Sequence, residues 1–260
     1  MENFYYEFFT NNFTAEPLGT YGWRHLTLCM VCILFCVALA AALYFLGGRG
    51  KNRKRVYTGA AIVLLSLEFL KYVVIIVTQG IDVWFYNFLP LRSNTIAIVS
   101  LPLMAWLRGN GRQSRIWRDF TLLFGLLSGA GLFVFEALFN VYPLWHFNTI
   151  IEVLTCCIPF FISVYLLFCE DYLLTVPSMK KCVVVLIAFI GIAYFADALA
   201  NANYMHLEKP ASTPYTVLYN IFHSSFWYTL PVALVNLAYL ILSGYIIALI
   251  RNAAYRRKRR

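Results

Sequence analysis

The sequence predicts an all-α membrane protein, a polytopic bundle of about seven transmembrane helices with its N-terminus outside and its C-terminus in the cytoplasm. Composition is the first reason: 61% of the 260 residues are hydrophobic and 13% are charged, against roughly 25% charged in soluble domains. The mean hydropathy of +0.69 agrees. The second reason is a series of apolar runs long enough to cross a ~30 Å hydrocarbon core. The third is the placement of the basic residues.

Seven apolar runs mark the predicted spans. In chain order they cover residues 25–47, 56–79, 83–106, 117–140, 146–169, 181–203 and 226–250. The first run follows an acidic, polar segment, and its apolar stretch is longer than the core of a signal peptide, so we expect it to remain as a helix. Each later run also has the roughly 20 residues that a helix needs to cross a bilayer.

The spans divide the chain into three predicted parts. These are an outer N-terminal tail at 1–23, a seven-helix transmembrane domain at 24–250 and a basic cytoplasmic tail at 251–260. Among the connections, residues 204–225 form the longest outer loop, and we expect them to lie over the outer mouth of the bundle as a lid. The outer tail contains a glycosylation sequon at Asn12, whose use the sequence leaves open.

Basic residues orient the bundle. Most of the 21 Lys and Arg residues fall in alternate loops and the C-terminal tail: Arg49, Lys51, Arg53, Lys54, Arg55, Arg108, Arg112, Arg115, Arg118, Lys180, Lys181, Arg251, Arg256, Arg257, Lys258, Arg259 and Arg260. The opposite side has only Arg24 and Lys209. Because basic loops stay in the cytoplasm, this distribution places the N-terminus outside. It also assigns the net charge of +9 to topology and to anionic lipids rather than to nucleic acid.

Charged residues inside the predicted spans are the main functional signal. A charge in the bilayer core costs ~2.5–3.5 kcal/mol on insertion scales, so such residues usually pair or face a cavity. The charged residues here are Glu68, Lys71, Arg92, Glu136, Glu152 and Asp197. Helical rise places them all at the midplane or in the outer half. Six uncharged polar residues extend the set: Asn94, Asn140, His146, Asn148, Asn201 and Asn203. We predict that these residues form a polar pocket toward the outer face.

Spacing and charge balance leave two interpretations of this cluster open. Glu68 and Lys71 are three residues apart on one helical face, where they can form an ion pair. Asp197 and Asn201 are four residues apart on another. In the first interpretation, the charges only hold helices together. In the second they serve a ligand, because four carboxylates against two cations leave an acidic surplus that favours a cationic or proton-linked ligand.

The seven cysteines all fall within predicted spans. Cys29, Cys32 and Cys36 share one helical face, but we expect no His or acidic residue beside them to complete a metal site. They are therefore interpreted as small apolar packing residues, and the sequence predicts no bound metal and no cofactor. It also has no Gly-rich phosphate loop, H-E-x-x-H or G-x-S-x-G motif, so catalytic residues stay unassigned.

Short motifs in two places resemble a known family. They are Leu89-Pro90-Leu91 in the third span, and Asn203-Tyr204-Met205, Leu207 and Lys209-Pro210 after the sixth. With the seven-helix layout, they resemble the YwaF-type bacterial integral membrane proteins, which are similar to a eukaryotic family of transmembrane phospholipid acyltransferases. The resemblance implies this fold and an outward pocket for a lipid. In that family Leu-Pro-Leu continues with His, an apolar residue and Cys, the candidate acyl-transfer pair, whereas this chain has Arg92, Ser93 and Asn94.

Three functions stay open at the level of sequence. The first is a membrane protein that binds an amphiphile or lipid in the outer-half pocket, without the Cys and His that thioester acyl transfer needs. The second is a transporter or receptor for a small polar or cationic solute, using Asp197, Glu152 and Glu136. The third is an active membrane acyltransferase or hydrolase. In all three, the protein is a multi-pass protein of the cell membrane whose partners are membrane lipids and not nucleic acid.

Overall fold

The computed structural model describes residues 8–9, 15–19, 21–47, 52–81, 96–107, 112–134, 141–169, 174–200, 202–210, 214–223 and 225–258. Within these ranges the protein is helical and has no strand. Its main α-helices are α1 Trp23–Leu46, α2 Arg53–Gln79, α3 Ile96–Trp106, α4 Arg112–Val134, α5 Phe147–Cys169, α6 Val176–Ala200, α7 Thr216–Phe222 and α8 Ser225–Lys258. A short 3-10 helix, Tyr204–His206, lies between α6 and α7.

The described helices agree with a protein that crosses the membrane several times. Six helices (α1, α2, α4, α5, α6 and α8) are long and apolar enough to span a bilayer. The prediction of an all-α, multi-pass membrane protein is therefore confirmed. The third predicted span, 83–106, is represented by the 11-residue α3, and its first part lies outside the described residues. Helix α8 continues to Lys258, so the predicted basic tail begins as an extension of the last span.

Helix α5 lies at the centre of the bundle. It packs most extensively against α4 and also contacts α1 and α2, while α3 lies between α2 and α4. The buried side chains of α4 and α5 include large aromatic residues such as Phe120, Phe124 and Tyr165. Helices α1, α6 and α8 expose many apolar side chains on the outside of the bundle. That distribution is expected for helices whose outer faces contact lipid rather than water.

Small residues allow α4 and α5 to approach closely. Gly125 and Gly129 on α4 have the G-x-x-x-G spacing, and any side chain there would meet α5: Pro159 and Ser163 from Gly125, and Phe160 from Gly129. The Ser163 hydroxyl lies 2.9 Å from the carbonyl oxygen of Thr121 on α4. Lipid provides no hydrophobic force between helices, so close packing and hydrogen bonds of this kind hold them together.

Two arginine side chains form hydrogen bonds between helix ends on the predicted cytoplasmic side. Arg53, at the start of α2, donates to the carbonyl oxygen of Cys169 at 3.1 Å. Arg251, near the end of α8, donates to the carbonyl oxygen of Leu167 at 2.6 Å. Both carbonyls belong to the last turn of α5, where helical oxygens lack an intrahelical partner and cations are favoured. Two of the basic residues from which the orientation was predicted therefore also cap the central helix.

The segment between α6 and α8 packs down onto the bundle. Tyr204, Met205, Leu207 and Tyr215 are all buried. The backbone of Met205 has φ 55° and that of His206 has φ 57°, a left-handed conformation that is uncommon for residues other than glycine. The surrounding structure therefore has to hold this turn in place. The predicted lid is thus a packed cap over the ends of α6 and α8.

Candidate functional site

The centre of the candidate site is Lys71, which lies between two carboxylates. Its Nζ atom is 3.5 Å from Oε2 of Glu152 and 3.9 Å from Oε2 of Glu68. All three side chains are buried: the residues expose 5% (Lys71), 0% (Glu152) and 4% (Glu68) of their surface. The predicted ion pair between Glu68 and Lys71 is confirmed, and the structure adds Glu152 from another helix as a partner of Lys71.

Local helix geometry explains this arrangement. Residues three apart lie on the same face of a helix, so Glu68 and Lys71 point from α2 toward the same neighbour. That neighbour is α5, which packs against α2 and carries Glu152 in its second turn. The long side chain of Lys71 can therefore reach both carboxylates. We call Glu68, Lys71 and Glu152 the acid–lysine cluster.

The acid–lysine cluster has one more carboxylate than ammonium groups. In a bilayer, an ionised group is stabilised mainly by its partners, since water is scarce. Oε2 of Glu68 is buried and has no hydrogen-bond partner in the described part of the chain. A buried acceptor without a donor costs about 1–3 kcal/mol, and more when it is charged. The cluster is therefore suited to bind a further N–H or O–H donor, a cation or a proton.

Asp197 lies at a second position, near the end of α6. Its Oδ1 atom accepts a hydrogen bond from the backbone N–H of Tyr204 at 2.6 Å, which helps to hold the left-handed turn. The residue exposes only 6% of its surface. Its Oδ2 atom is buried and has no hydrogen-bond partner among the described residues. No hydrogen bond or ion pair joins Asp197 to the acid–lysine cluster within the described ranges.

The side chain of Asn203 is used by the loop that follows it. Its Nδ2 atom donates to the carbonyl oxygen of Lys209 at 2.9 Å. Its Oδ1 atom accepts from the backbone N–H groups of Glu208 at 3.2 Å and Lys209 at 3.0 Å. These three bonds close residues 203–209 into a compact turn. Both ends of the Asn203 amide are thus occupied by backbone groups, which gives this predicted site residue a role in shaping the cap.

The other predicted site residues lie outside the described ranges: Arg92, Asn94, Glu136, Asn140 and Asn201. The expected pairing of Arg92 with a carboxylate of the cluster also lies there. Two further polar residues of the predicted outer set, His146 and Asn148, are buried at the start of α5. Nδ1 of His146 accepts a hydrogen bond from the backbone N–H of Asn148 at 3.2 Å. The His146 ring stacks on the ring of Tyr142, with 4.2 Å between the ring centroids. This histidine therefore caps the helix that carries Glu152.

A histidine–cysteine contact in α1 was not predicted from the sequence. Nε2 of the buried His25 lies 3.3 Å from Sγ of Cys29 and 2.8 Å from the carbonyl oxygen of Leu132. The expectation that no histidine lies beside these cysteines is therefore wrong, and the spacing of four residues in one helix was the available signal.

The hydrogen bonds of His25 define its proton arrangement. Nδ1 accepts the backbone N–H of Tyr21 at 3.2 Å, so Nδ1 carries no proton in the neutral ring. The proton is then on Nε2, which donates toward Leu132. The nitrogen facing Cys29 is therefore a donor and not a base that could accept the thiol proton. This pair lacks the arrangement that activates a cysteine nucleophile.

The described residues contain no group of three or more His, Cys, Asp or Glu side chains arranged to hold a metal ion. In chemical terms, the described site is one of charge and hydrogen bonding: two carboxylates and one ammonium between α2 and α5, and one carboxylate at the end of α6.

Comparison with protein families gives one result. The model of the TMEM164 family, a family of transmembrane proteins, matches residues 20–250. A comparison with curated proteins gave no match, and neither did a comparison with solved structures. The matched range includes every described spanning helix and the acid–lysine cluster. The more specific likeness to YwaF-type proteins stays a prediction.

Proposed function

The chain belongs to the TMEM164 family, and from this premise we propose that it binds an amphiphile whose headgroup carries an ammonium group. The observation that carries the proposal is the acid–lysine cluster, in which two buried carboxylates share one buried lysine inside the membrane-spanning helices α2 and α5. The proposed role of the cluster is to bind the headgroup, and the acyl chains lie on apolar helix surfaces.

The charge balance of the cluster favours this kind of headgroup. An added ammonium would reduce the number of carboxylates that share Lys71 and would provide N–H donors for Oε2 of Glu68. Charge-assisted hydrogen bonds of this type are roughly twice as strong as neutral ones. An anionic headgroup would instead add a like charge beside two carboxylates. The proposal therefore separates lipids with and without an ammonium group.

The surface of α2 favours an amphiphile over a water-soluble ligand. Phe69, Leu70 and Val73 flank Glu68 and Lys71 in sequence and are exposed on the outside of the bundle. An acyl chain on this face keeps contact with apolar side chains while its headgroup is directed at the cluster. Each methylene kept in an apolar environment contributes about 0.8 kcal/mol relative to water.

Acyl transfer is not part of the proposal. At the positions where the acyltransferase pair is expected from the resemblance, this chain has Arg92 and Asn94. The Cys29 thiol does have a histidine beside it, but that histidine presents a donor nitrogen. Neither these positions nor the described contact between Cys29 and His25 therefore provides a cysteine activated by a base.

The second candidate is a transporter or receptor for a small cationic solute. It is favoured by Oδ2 of Asp197, another buried carboxylate oxygen without a hydrogen-bond partner in the described residues. A solute that uses both carboxylate positions needs no acyl chain. The same binding experiment separates the two candidates.

Phosphatidylethanolamine is expected to stabilise the purified protein in detergent, whereas phosphatidylglycerol with the same acyl chains is not. A ligand at 100 times its dissociation constant adds about 2.7 kcal/mol to the folded state. The Glu152→Gln variant should stay folded, because an amide can still accept from Lys71, but it should lose this stabilisation. The effect is measured as the thermal unfolding temperature of the wild type and of Glu152→Gln, each in the presence of either lipid or of free ethanolamine.

The matched control is Glu208→Gln, which removes a half-buried carboxylate in the cap outside the spanning helices. This variant should respond to phosphatidylethanolamine as the wild type does. Stabilisation by free ethanolamine as strong as by the lipid would replace our proposal with the solute candidate. Equal stabilisation by both lipids, or by neither, would reject a headgroup site at the cluster.

We further propose seven spans, including one formed by α3 and the residues before it, in the cell membrane with the N-terminus outside. With the native thiols replaced, a cysteine introduced at Thr216 should react with an impermeant maleimide on intact cells, and one at Asn110 should not. The reason is that the loops around these residues differ in basic charge. Labelling of Asn110 alone would reverse the orientation, and labelling of both would show that the spans between them are assigned wrongly.

A further inference from the structure

Helix α7 is the part of the cap that the bundle covers least. It runs from Thr216 to Phe222, and none of its seven residues is buried. His223 follows it with a left-handed backbone conformation (φ 51°), which turns the chain before α8 begins at Ser225. Helix α7 is therefore a separate element of the cap and not a first turn of α8.

Contacts with α8 show how high α7 lies in the bundle. The ring of Tyr219 packs edge-on against the ring of Tyr228, with 5.3 Å between the ring centroids. Tyr228 is the second residue of the apolar span of α8, Trp227–Leu249. The next residue, Thr229, donates a hydrogen bond to the carbonyl oxygen of Leu207 in the cap, at 2.8 Å. Helix α7 therefore lies at the level where the span of α8 begins.

The sequence of α7 gives it three chemically different faces. Residues four apart share a face of a helix. Together with its N-cap residue, which has helical backbone angles, α7 contains an aromatic, a polar and an apolar pair at this spacing: Tyr215 and Tyr219, Thr216 and Asn220, and Val217 and Ile221. Because successive residues are ~100° apart around the helix axis, the three pairs face three different directions.

The bundle covers only the aromatic face. Tyr215 is buried, and its hydroxyl oxygen lies 3.4 Å from Nδ2 of Asn236 on α8. Tyr219 is partly buried against the hydrophobic core. The polar pair is exposed. Val217 and Ile221 each expose 65% of their surface, and as residues two positions from Tyr219 they lie ~160° around the axis from it. The apolar face therefore points away from the bundle.

The neighbouring surface of α8 indicates what meets this apolar face. Trp227, Leu230 and Leu234 are exposed and lie on one face of α8, three and four residues apart. This face belongs to the lipid-facing outside of the bundle. Tryptophan is enriched where the hydrocarbon of a bilayer meets the headgroups. The apolar face of α7 thus lies at the level of Trp227, where the lipid-facing surface of α8 begins.

We propose that α7 is an interfacial helix, embedded in the bilayer surface on the side of the cap, and that phospholipid covers Val217 and Ile221. A helix at the rim of a membrane bundle has three neighbours: protein, lipid and water. The three faces of α7 match them, because the aromatic pair packs on α8, the apolar pair meets lipid and the polar pair meets water. Amphipathic helices lie at the boundary between headgroups and acyl chains in this way.

This position makes the bilayer part of the support of the cap. Tyr215 contacts α8 on one side of α7, and lipid holds the opposite side through the apolar pair. The cap is then fixed between the bundle and the leaflet rather than standing free in water. The inference is independent of the headgroup site proposed at the acid–lysine cluster, since none of its residues takes part.

Spin labels on α7 test the proposal in phosphatidylcholine vesicles. The full-length protein, with its native cysteines replaced, carries a nitroxide at Ile221→Cys or at its neighbour on the polar face, Asn220→Cys. Oxygen concentrates in the bilayer and a nickel chelate stays in water, so their collision rates with the label report its surroundings. Oxygen should predominate at Ile221→Cys and nickel at Asn220→Cys. Leu234→Cys, on the lipid-facing surface of α8, is the reference for a label in hydrocarbon.

A photocrosslinker tests the same face in a protein that keeps its cysteines. Benzoylphenylalanine in place of Ile221 should give, on irradiation, a protein heavier by one phosphatidylcholine molecule, whereas in place of Asn220 it should not. Predominance of nickel at both labelled positions would place the apolar face in water and overturn the proposal. Crosslinked dimers from position 221, with neither reagent reaching the label there, would show that a second copy of the chain covers this face, which would overturn it equally.

Discussion

Replacing Lys71 by methionine is expected to destabilise the protein by about 3–5 kcal/mol, the cost of removing one partner from a buried ion pair. Methionine fills much of the space of the lysine stem, so the loss is mainly electrostatic. Glu68 and Glu152 would then lie buried within reach of the vacated position without the ammonium between them. Unfolding in a mixed-micelle denaturant titration, followed by circular dichroism, measures the change.

Additional substitutions show whether unpaired charge causes the loss of stability in Lys71→Met. Replacing both acids as well, in the triple variant Lys71→Met, Glu68→Gln, Glu152→Gln, should restore most of the lost stability, since a buried ion cluster can often be exchanged for neutral groups at little cost. Lys209→Met is the control, because the side chain of this lysine is 69% exposed. Its Nζ atom lies as far as 4.0 Å from Oε1 of its partner Glu208. Exposed pairs contribute about 0–1 kcal/mol. Equal losses in Lys71→Met and the triple variant would refute the electrostatic explanation.

Replacing Gly125 by alanine is expected to cost about 3 kcal/mol, at the upper end of overpacking penalties. The added Cβ would meet the Ser163 side chain and the backbone of Pro159, whose carbonyl carbon would be 2.9 Å away. A backbone contact cannot be relieved by a change of rotamer, so α4 and α5 would have to move apart. The hydrogen bond from Ser163 to Thr121 would be lost with that movement. The same unfolding titration gives the size of the effect.

The control is the same glycine-to-alanine substitution at Gly191. This glycine also lies within a helix, α6, but an added Cβ there would meet no atom within 4 Å. Gly191→Ala should be neutral or stabilising by up to about 1 kcal/mol, because alanine has the higher helix propensity. If both glycine variants lost the same stability, close packing between α4 and α5 would not explain the result for Gly125.

Much of the fold could be predicted from the sequence because the bilayer imposes one length and one hydropathy on every spanning helix. The predicted runs 56–79 and 146–169 agree with α2 and α5 to within a few residues. Helix ends were less predictable. Helix α6 begins at Val176, before the basic pair Lys180 and Lys181, because polar residues can continue a helix beyond the hydrocarbon.

The candidate site was only partly predictable for a physical reason. The contact between Glu68 and Lys71 follows from spacing within one helix, which a sequence contains. The contact between Lys71 and Glu152 depends on the packing of α2 against α5, and no local pattern specifies it. His25 differs, since its spacing of four from Cys29 was visible in the sequence.

The shared helix of Glu68 and Lys71 has a consequence for biosynthesis. During translation, α2 enters the membrane well before α5 is made, and it does so with a carboxylate and an ammonium already one turn apart. A paired charge is easier to place in the bilayer than a single one. Glu152 arrives later and reaches Lys71 only when α5 packs against the inserted α2. The order of synthesis thus makes α2 the preformed surface on which the central helix docks.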